Sequence, residues 1–113
     1  MALRKEYPKR VGPAAMPTGV AASVYQAPER VIINEFTFAN TTVGALAVTL
    51  HIVSSSGTAV VGNQIIPATS IPANDVQIVK SPIVLEAGER VFALAAGAVN
   101  LTFNVNDRET EVL

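Results

Sequence analysis

The chain has 113 residues, half of them hydrophobic and only 15% charged, with a net charge of −1, one histidine and no cysteine. That length holds one domain; the lack of cysteine excludes disulfide staples, thiol nucleophiles and cysteine-held metals. The near-neutral balance argues against a dedicated nucleic-acid binder, and a quarter of an average soluble domain is charged, so a surface of Ala, Val, Thr, Asn and Ser is suited to being covered by neighbours.

Residues 1–19 hold three of the seven prolines, Pro8, Pro13 and Pro17, and two glycines, Gly12 and Gly19, without any periodicity. Proline fixes φ and removes a donor, so neither a helix nor a central strand suits this stretch. It reads as an extended arm with a net charge of +3 in its first ten residues, from Arg4, Lys5, Lys9 and Arg10 against Glu6. Basic residues stand at the start, but no apolar run of signal-peptide type follows them. No stretch approaches the ~18–20 apolar residues of a membrane span. The expectation is a chain that stays where it is made.

From residue 20 the pattern is alternation. Gly19 to Gln26 predicts a weak first strand, and Pro28-Glu29 a turn. Arg30 to Asn40 predicts a strand with Ile32, Phe36 and Phe38 on one face and Glu35 and Thr37 on the other. Ala45 to Val53 is strict period two, with Leu46, Val48, Leu50 and Ile52 inward and Ala47, Thr49 and His51 outward. Ser54 to Thr58 is a polar loop tip. Asn63 to Ser70 is interrupted by Pro67 and is therefore expected at a sheet edge or bulge. Val76 to Lys80 and Ile83 to Leu85 are two further short strands. Glu86-Ala-Gly-Glu89 is a tight turn into Arg90 to Ala95. Ala98 to Val105 closes the domain with Val99, Leu101, Phe103 and Val105 inward. Residues 106–113 form an acidic tail of net charge −2.

Seven or eight strands at this spacing, with no helical period, predict an all-β antiparallel sandwich, Ig-like or jelly-roll-like. The domain spans residues 20–105, between the arm of 1–19 and the tail of 106–113. Val43, Ala45, Ala47, Val53, Val60 and Val61 exceed what the inner faces can take, so they are expected to include partner contacts.

Catalysis needs convergent polar groups, and none is visible. His51 is alone, on the polar face of a strand, and reads as solvated or interfacial. Ser54, Ser55 and Ser56 lack a nucleophile elbow. Glu35 falls on an outward face, as a surface charge or an intersubunit ion pair. Asn104, Asn106 and Asp107 lack the full ligand set and the glycine of a calcium loop. Asn40-Thr-Thr42 and Asn100-Leu-Thr102 match the glycosylation triplet by chance. The arm could neutralise a few phosphates but carries one aromatic, Tyr7, and no stacking platform. Docking on a protein surface suits it better, with Arg4, Lys5, Lys9 and Arg10 meeting carboxylates of a neighbour or the acidic tail of the next copy. Leu3, Tyr7, Val11 and Met16 would serve as its apolar anchors. No enzyme and no cofactor are expected.

Four segments carry a resemblance: Ile33–Thr42 (INEFTFANTT), Val48–Val53 (VTLHIV), Ile65–Ala68 (IIPA) and Val84–Val91 (VLEAGERV). Over about 80 residues the chain resembles small β-sandwich virion proteins of tailed bacteriophages. The resemblance implies a non-enzymatic structural role in the particle as a capsid decoration or cement, head–tail or tail accessory protein. It implies major capsid, tail or connector proteins as partners, homo-oligomers in the assembly, and a virion assembled in the host cytoplasm without membrane contact. A receptor- or glycan-binding module of a tail or fibre is the alternative, with Ser54 to Gly62 as its loop. The absence of Trp and the presence of only two tyrosines weigh against a glycan platform.

Overall fold

The computed structural model describes the backbone of residues 2–112 and the side chains of residues 9–80 and 82–105. Eight strands follow one another: β1 (Ala2–Ala15), β2 (Ala22–Gln26), β3 (Val31–Asn40), β4 (Leu46–Val53), β5 (Gln64–Ile71), β6 (Asp75–Leu85), β7 (Arg90–Ala95) and β8 (Val99–Val112). A single 3₁₀ turn, Val61–Asn63, precedes β5. The strands form two four-stranded sheets, ordered β1-β8-β3-β6 and β2-β7-β4-β5, and every strand pair is antiparallel. The chain crosses between the sheets at nearly every connection. Eight strands arranged four on four in this order make a jelly roll. The sandwich expected from the strand spacing is present, and the strand order selects between its two predicted forms.

The core lies between the sheets, where alternate residues of each strand meet. Val31, Ile33, Phe36 and Phe38 of β3 are buried against Val48 and Leu50 of β4, Val91, Ala93 and Ala95 of β7, and Leu101, Phe103 and Val105 of β8. Phe103 ties the layers together. Its ring centroid lies 5.3 Å from that of Phe36 and 5.7 Å from that of Tyr25 on the opposite sheet.

One inward assignment fails: Ile32 is exposed, and Val31 and Ile33 point inward instead. The register slips between Ile33 and Phe36, against both β8 and β6. An extra residue in a strand reverses the parity of everything beyond it. Strict period two therefore carried Phe36 and Phe38 correctly but not the residues before the bulge. Leu46 and Ile52 are only partly buried at the ends of β4.

All four edge strands are bulged. The slip falls between Val11 and Ala14 in β1, between Ser23 and Tyr25 in β2, and opposite Val48–Leu50 in β5, where Ile66 and Thr69 flank Pro67. In β6 it falls between Lys80 and Ile83, beside Pro82. Proline cannot donate to a ladder, so it belongs on an edge or in a bulge. Pro67 is thus where the sequence placed it. Pro82 split β6 into two predicted strands, but a bulge accommodates it within one. In β1 the bulge is built by Gly12, whose φ of +90° excludes most side chains; a Cβ there would also collide with the Leu101 carbonyl.

The sequence reads residues 1–19 as an extended docking arm. Residues 2–15 form β1, paired with β8 from Ala2 opposite Val112 to Ala15 opposite Asn100. An edge strand tolerates the prolines that exclude a central one. The chain then dives inward: the Met16 amide donates to the Val99 carbonyl (2.9 Å) and Thr18 bridges Ala95. Residues 106–112 of the predicted acidic tail continue β8 without a break.

Asn40 closes the opposite end. It is buried; Nδ2 donates to the Gly44 and Ile71 carbonyls at 2.9 and 3.0 Å, and Oδ1 accepts from the Thr42 amide and hydroxyl. A fully engaged buried amide cannot act as a glycan acceptor. Asn40→Ala is expected to destabilise the fold by about 1–3 kcal/mol, because it strands buried carbonyls. Equilibrium urea unfolding checks this; an unchanged midpoint would mean that water replaces the amide at no cost.

Candidate interaction surfaces

Three surfaces could meet a partner. The first contains the predicted anchors. Lys9 and Arg10 are exposed on β1, and Val11 is half-buried. Met16 is 4% exposed and belongs to the core, so its role as a partner anchor is corrected. The bulge at Gly12–Pro13 turns the end of β1 towards the interior and seats the thioether there. Leu3, Arg4, Lys5 and Tyr7 lie on the described backbone of β1, but their side chains lie outside the described residues. The backbone register places Lys5 opposite Glu109, Glu6 opposite Arg108 and Tyr7 opposite Asp107. Basic arm and acidic tail thus meet within one chain, whereas the sequence reading set the arm against a neighbour or the tail of the next copy.

Beyond residue 106 this pair stands alone. β3 reaches only as far as Asn106 on β8, so residues 2–8 and 107–112 leave the sandwich as a two-stranded ribbon. The long dimension of the molecule, 54 Å against 28 and 19 Å, suits such a projection.

The second surface is the loop from Ser54 to Asn63. Arg90 Nη2 donates to the Ser54 and Gly57 carbonyls at 2.8 and 2.7 Å, and its guanidinium stacks 4.8 Å from the centre of the Phe92 ring. Asn63 Nδ2 donates to the Thr58 carbonyl (2.9 Å), and its Oδ1 accepts from the Val60 amide (3.0 Å). His51 lies beneath. It is 6% exposed, and Nδ1 sits 3.1 Å from the Val60 carbonyl and 2.8 Å from Asn63 Oδ1. Both neighbours are oxygens already acting as acceptors, so Nδ1 carries the proton and donates. The histidine expected to be solvated or interfacial on an outward face is covered by the loop it holds. Alternation gave its side of the sheet but could not reveal a loop folding over that side. Val53 is likewise buried, not a partner contact, whereas Val60 and Val61 stand exposed at the loop's summit.

The third surface is the outer face of the first sheet. Val76, Ile78 and Val84 of β6 and Ile32 of β3 are 55, 50, 53 and 38% exposed. Val84 lies directly opposite Ile32, and Lys80 opposite Glu35. Three apolar side chains along β6 and one beside Val84 on β3, with one opposed charge pair among them, make a face short of cover. Val43, at 94% exposure, adds an apolar point at the turn after β3, and Ala45 and Ala47 are also exposed.

Among the described residues these surfaces assemble no acid–base pair. Among the described residues no three His, Asp or Glu gather closely enough to hold a metal ion. Asn104 is exposed on β8, while the side chains of Asn106 and Asp107 lie outside the described residues. The carboxylates serve turns: Glu89 Oε1 accepts from the Glu86 amide and Asp75 Oδ1 from the Val76 amide, while Glu86 also accepts from Arg30 at 2.9 Å. A cleft of about 30 Å³ between Val11, Met16, Val24 and Phe103 has room for little more than a water molecule. A shallow groove of about 380 Å³ over Ala47, Thr49, Ala68 and Leu94 has no titratable group in its lining.

No family model and no curated protein matches the chain in sequence. Solved structures share its fold. The chain is similar to a chain of the T13 particle of infectious bursal disease virus, at 13% identity and a TM-score of 0.51. The alignment covers 91% of this chain and 31% of that one. It is similar to VP2 in a subviral particle of the same virus, at 12% identity and a TM-score of 0.50, with 91% and 32% covered. It is also similar to a subunit of the disulfide-linked pili that form Bacillus endospore appendages, at 14% identity and a TM-score of 0.51, with 98% and 89% covered. The chain thus spans about a third of the length of the viral chains and nearly all of the pilus subunit.

Proposed function

We propose that the chain is a non-enzymatic structural subunit of a phage particle, acting as a capsid decoration or cement protein or as a head–tail accessory. The observation that carries this reading is the four-on-four jelly roll combined with a weakly charged exterior that leaves Ile32, Val76, Ile78 and Val84 uncovered. Such a face gains free energy when a neighbour covers it, at roughly 25 cal/mol per Å² of apolar area. Structural neighbours of the same fold build viral particles and a pilus, which supports assembly as the common use. The partners are the protein subunits of a virion, the major capsid or a connector protein, together with further copies of this chain. Many weak contacts of one kind then hold through avidity. The ribbon of residues 2–8 and 107–112, with the stretch of β1 that follows it, is the docking arm, with Leu3, Arg4, Lys5, Tyr7, Lys9, Arg10 and Val11 as its contact residues.

Jelly rolls also serve as lectin domains, so a glycan- or receptor-binding module of a tail is the second reading. Sugar platforms use exposed aromatic faces. Among the described side chains no aromatic is exposed: Phe36, Phe38 and Phe103 are buried, and Tyr25 and Phe92 are half-covered. Location in intact particles separates the two readings. Antibody labelling viewed by electron microscopy is expected to decorate the head or its joint with the tail. Label confined to the tail tip would favour the receptor-binding reading, and particles without label would overturn the assembly role.

A further inference from the structure

The edges of the sandwich and the edges of the ribbon are built differently. A sheet edge is a row of unpaired backbone donors and acceptors that invites another strand, and folds blunt it with bulges and prolines. Here β2, β5 and β6 are each interrupted, and β1 is interrupted at Gly12–Pro13. The ribbon is not. From Ala2 opposite Val112 to Val11 opposite Phe103 the register runs without a slip. It presents two open edges, residues 2–8 of β1 on one side and residues 107–112 of β8 on the other. Pro8, at the ribbon's base, is the one residue there without an amide donor.

The two edges also differ in charge. Within the ribbon β1 brings Arg4 and Lys5 against Glu6, with Lys9 and Arg10 following at its base; the open part of β8 brings Asp107, Glu109 and Glu111 against Arg108. One edge is basic and the other acidic. A two-stranded ribbon alone is marginal in water and gains most from a third strand. Resting on the assembly role proposed above, we propose that the ribbons of successive copies pair edge to edge, β1 of one copy beside residues 107–112 of the next. The partner is a second copy of this chain, because this chain itself carries both complementary edges. Backbone hydrogen bonds provide the contact, as in strand addition, and charge selects unlike edges over like ones. The contact is heterologous, so it closes into a ring or runs on as a filament.

Charge exchange tests this without spoiling the pairing inside one chain. Arg4→Glu and Lys5→Glu, combined with Glu109→Lys and Glu111→Lys, make β1 acidic and β8 basic while keeping residues 5 and 109 opposite in sign. The exchanged chain should associate with itself as the original does, by analytical ultracentrifugation, and both associations should weaken with salt. Association between the two chains should be weaker on the order of tenfold, because each meeting then joins like edges. Mixed oligomers forming as freely as pure ones, by native mass spectrometry, would overturn the edge pairing and leave the particle role intact. If neither chain self-associates yet both still enter particles, the ribbon meets a different subunit and copy-to-copy pairing is overturned. If neither enters particles and the original still self-associates with the stated charge selection, the pairing stands and the particle role falls.

Discussion

Phe103→Ala is expected to destabilise the domain by about 3–5 kcal/mol, the range for removing a large aromatic from a packed core. The ring is 3% exposed and stands between Phe36 on its own sheet and Tyr25 on the other. Its loss leaves a cavity that two rigid sheets cannot collapse to fill, and it removes two ring contacts beyond the buried area. Domains of this size are stable by only about 5–15 kcal/mol, so the variant should unfold at a much lower denaturant concentration. Phe103→Leu, which retains most of the apolar volume, should lose less. Equal midpoints for the original and the Ala variant in urea unfolding would show that Phe103 does not bridge the sheets.

Two truncations are expected to separate folding from docking. Removal of residues 1–18 takes away the sandwich's share of β1, the Met16 side chain from the core and the backbone bonds of Met16 and Pro17 to Val99 and Ala95. It also exposes the long β8 as a new sheet edge. Losing a buried methionine alone costs about 2–5 kcal/mol, and the lost strand adds to it. The truncated chain should therefore be largely unfolded or aggregated. Removal of residues 1–8 spares all of this, so circular dichroism and the melting temperature should change little. Attachment to particles, read by cosedimentation with shells, should fall severely because the ribbon is gone. A folded 19–113 fragment would show that β1 adds nothing to the domain. Undiminished attachment of the 9–113 fragment would remove the ribbon from the docking role.

These expectations differ from the division drawn on the sequence, where residues 1–19 stand as an arm outside a domain of residues 20–105. The reason is physical. Prolines and glycines forbid a central strand, and Pro8, Gly12 and Pro13 remove any periodic signal. An edge strand needs pairing on one side only, so it forms without the alternation that identifies an interior strand. Its partner lies about a hundred residues away in sequence, and nothing local announces it. The acidic residues 106–113 were legible as a charge run but not as the continuation of β8.

Local pattern was sufficient for much else. Alternation in Ala45 to Val53 and Ala98 to Val105 marked β4 and the first half of β8 with their inward faces, because a half-buried strand must present alternate residues to the core, and the strand read at Arg90 to Ala95 is β7. Pro67 announced an edge, since a proline cannot serve a central ladder. The all-β sandwich followed from strand spacing. The sequence by itself therefore determined the fold class and most of the core. Only the tertiary structure decided the jelly-roll order, the reversal of facing at Ile32, the covering of His51 and the inward commitment of Met16. Each of these depends on a bulge, a crossing or a loop packing over a sheet, where the outcome is set by residues distant in sequence. The ribbon belongs with them: its charges were plain in the sequence, but the opposition of its basic and acidic strands exists only once β1 and β8 pair.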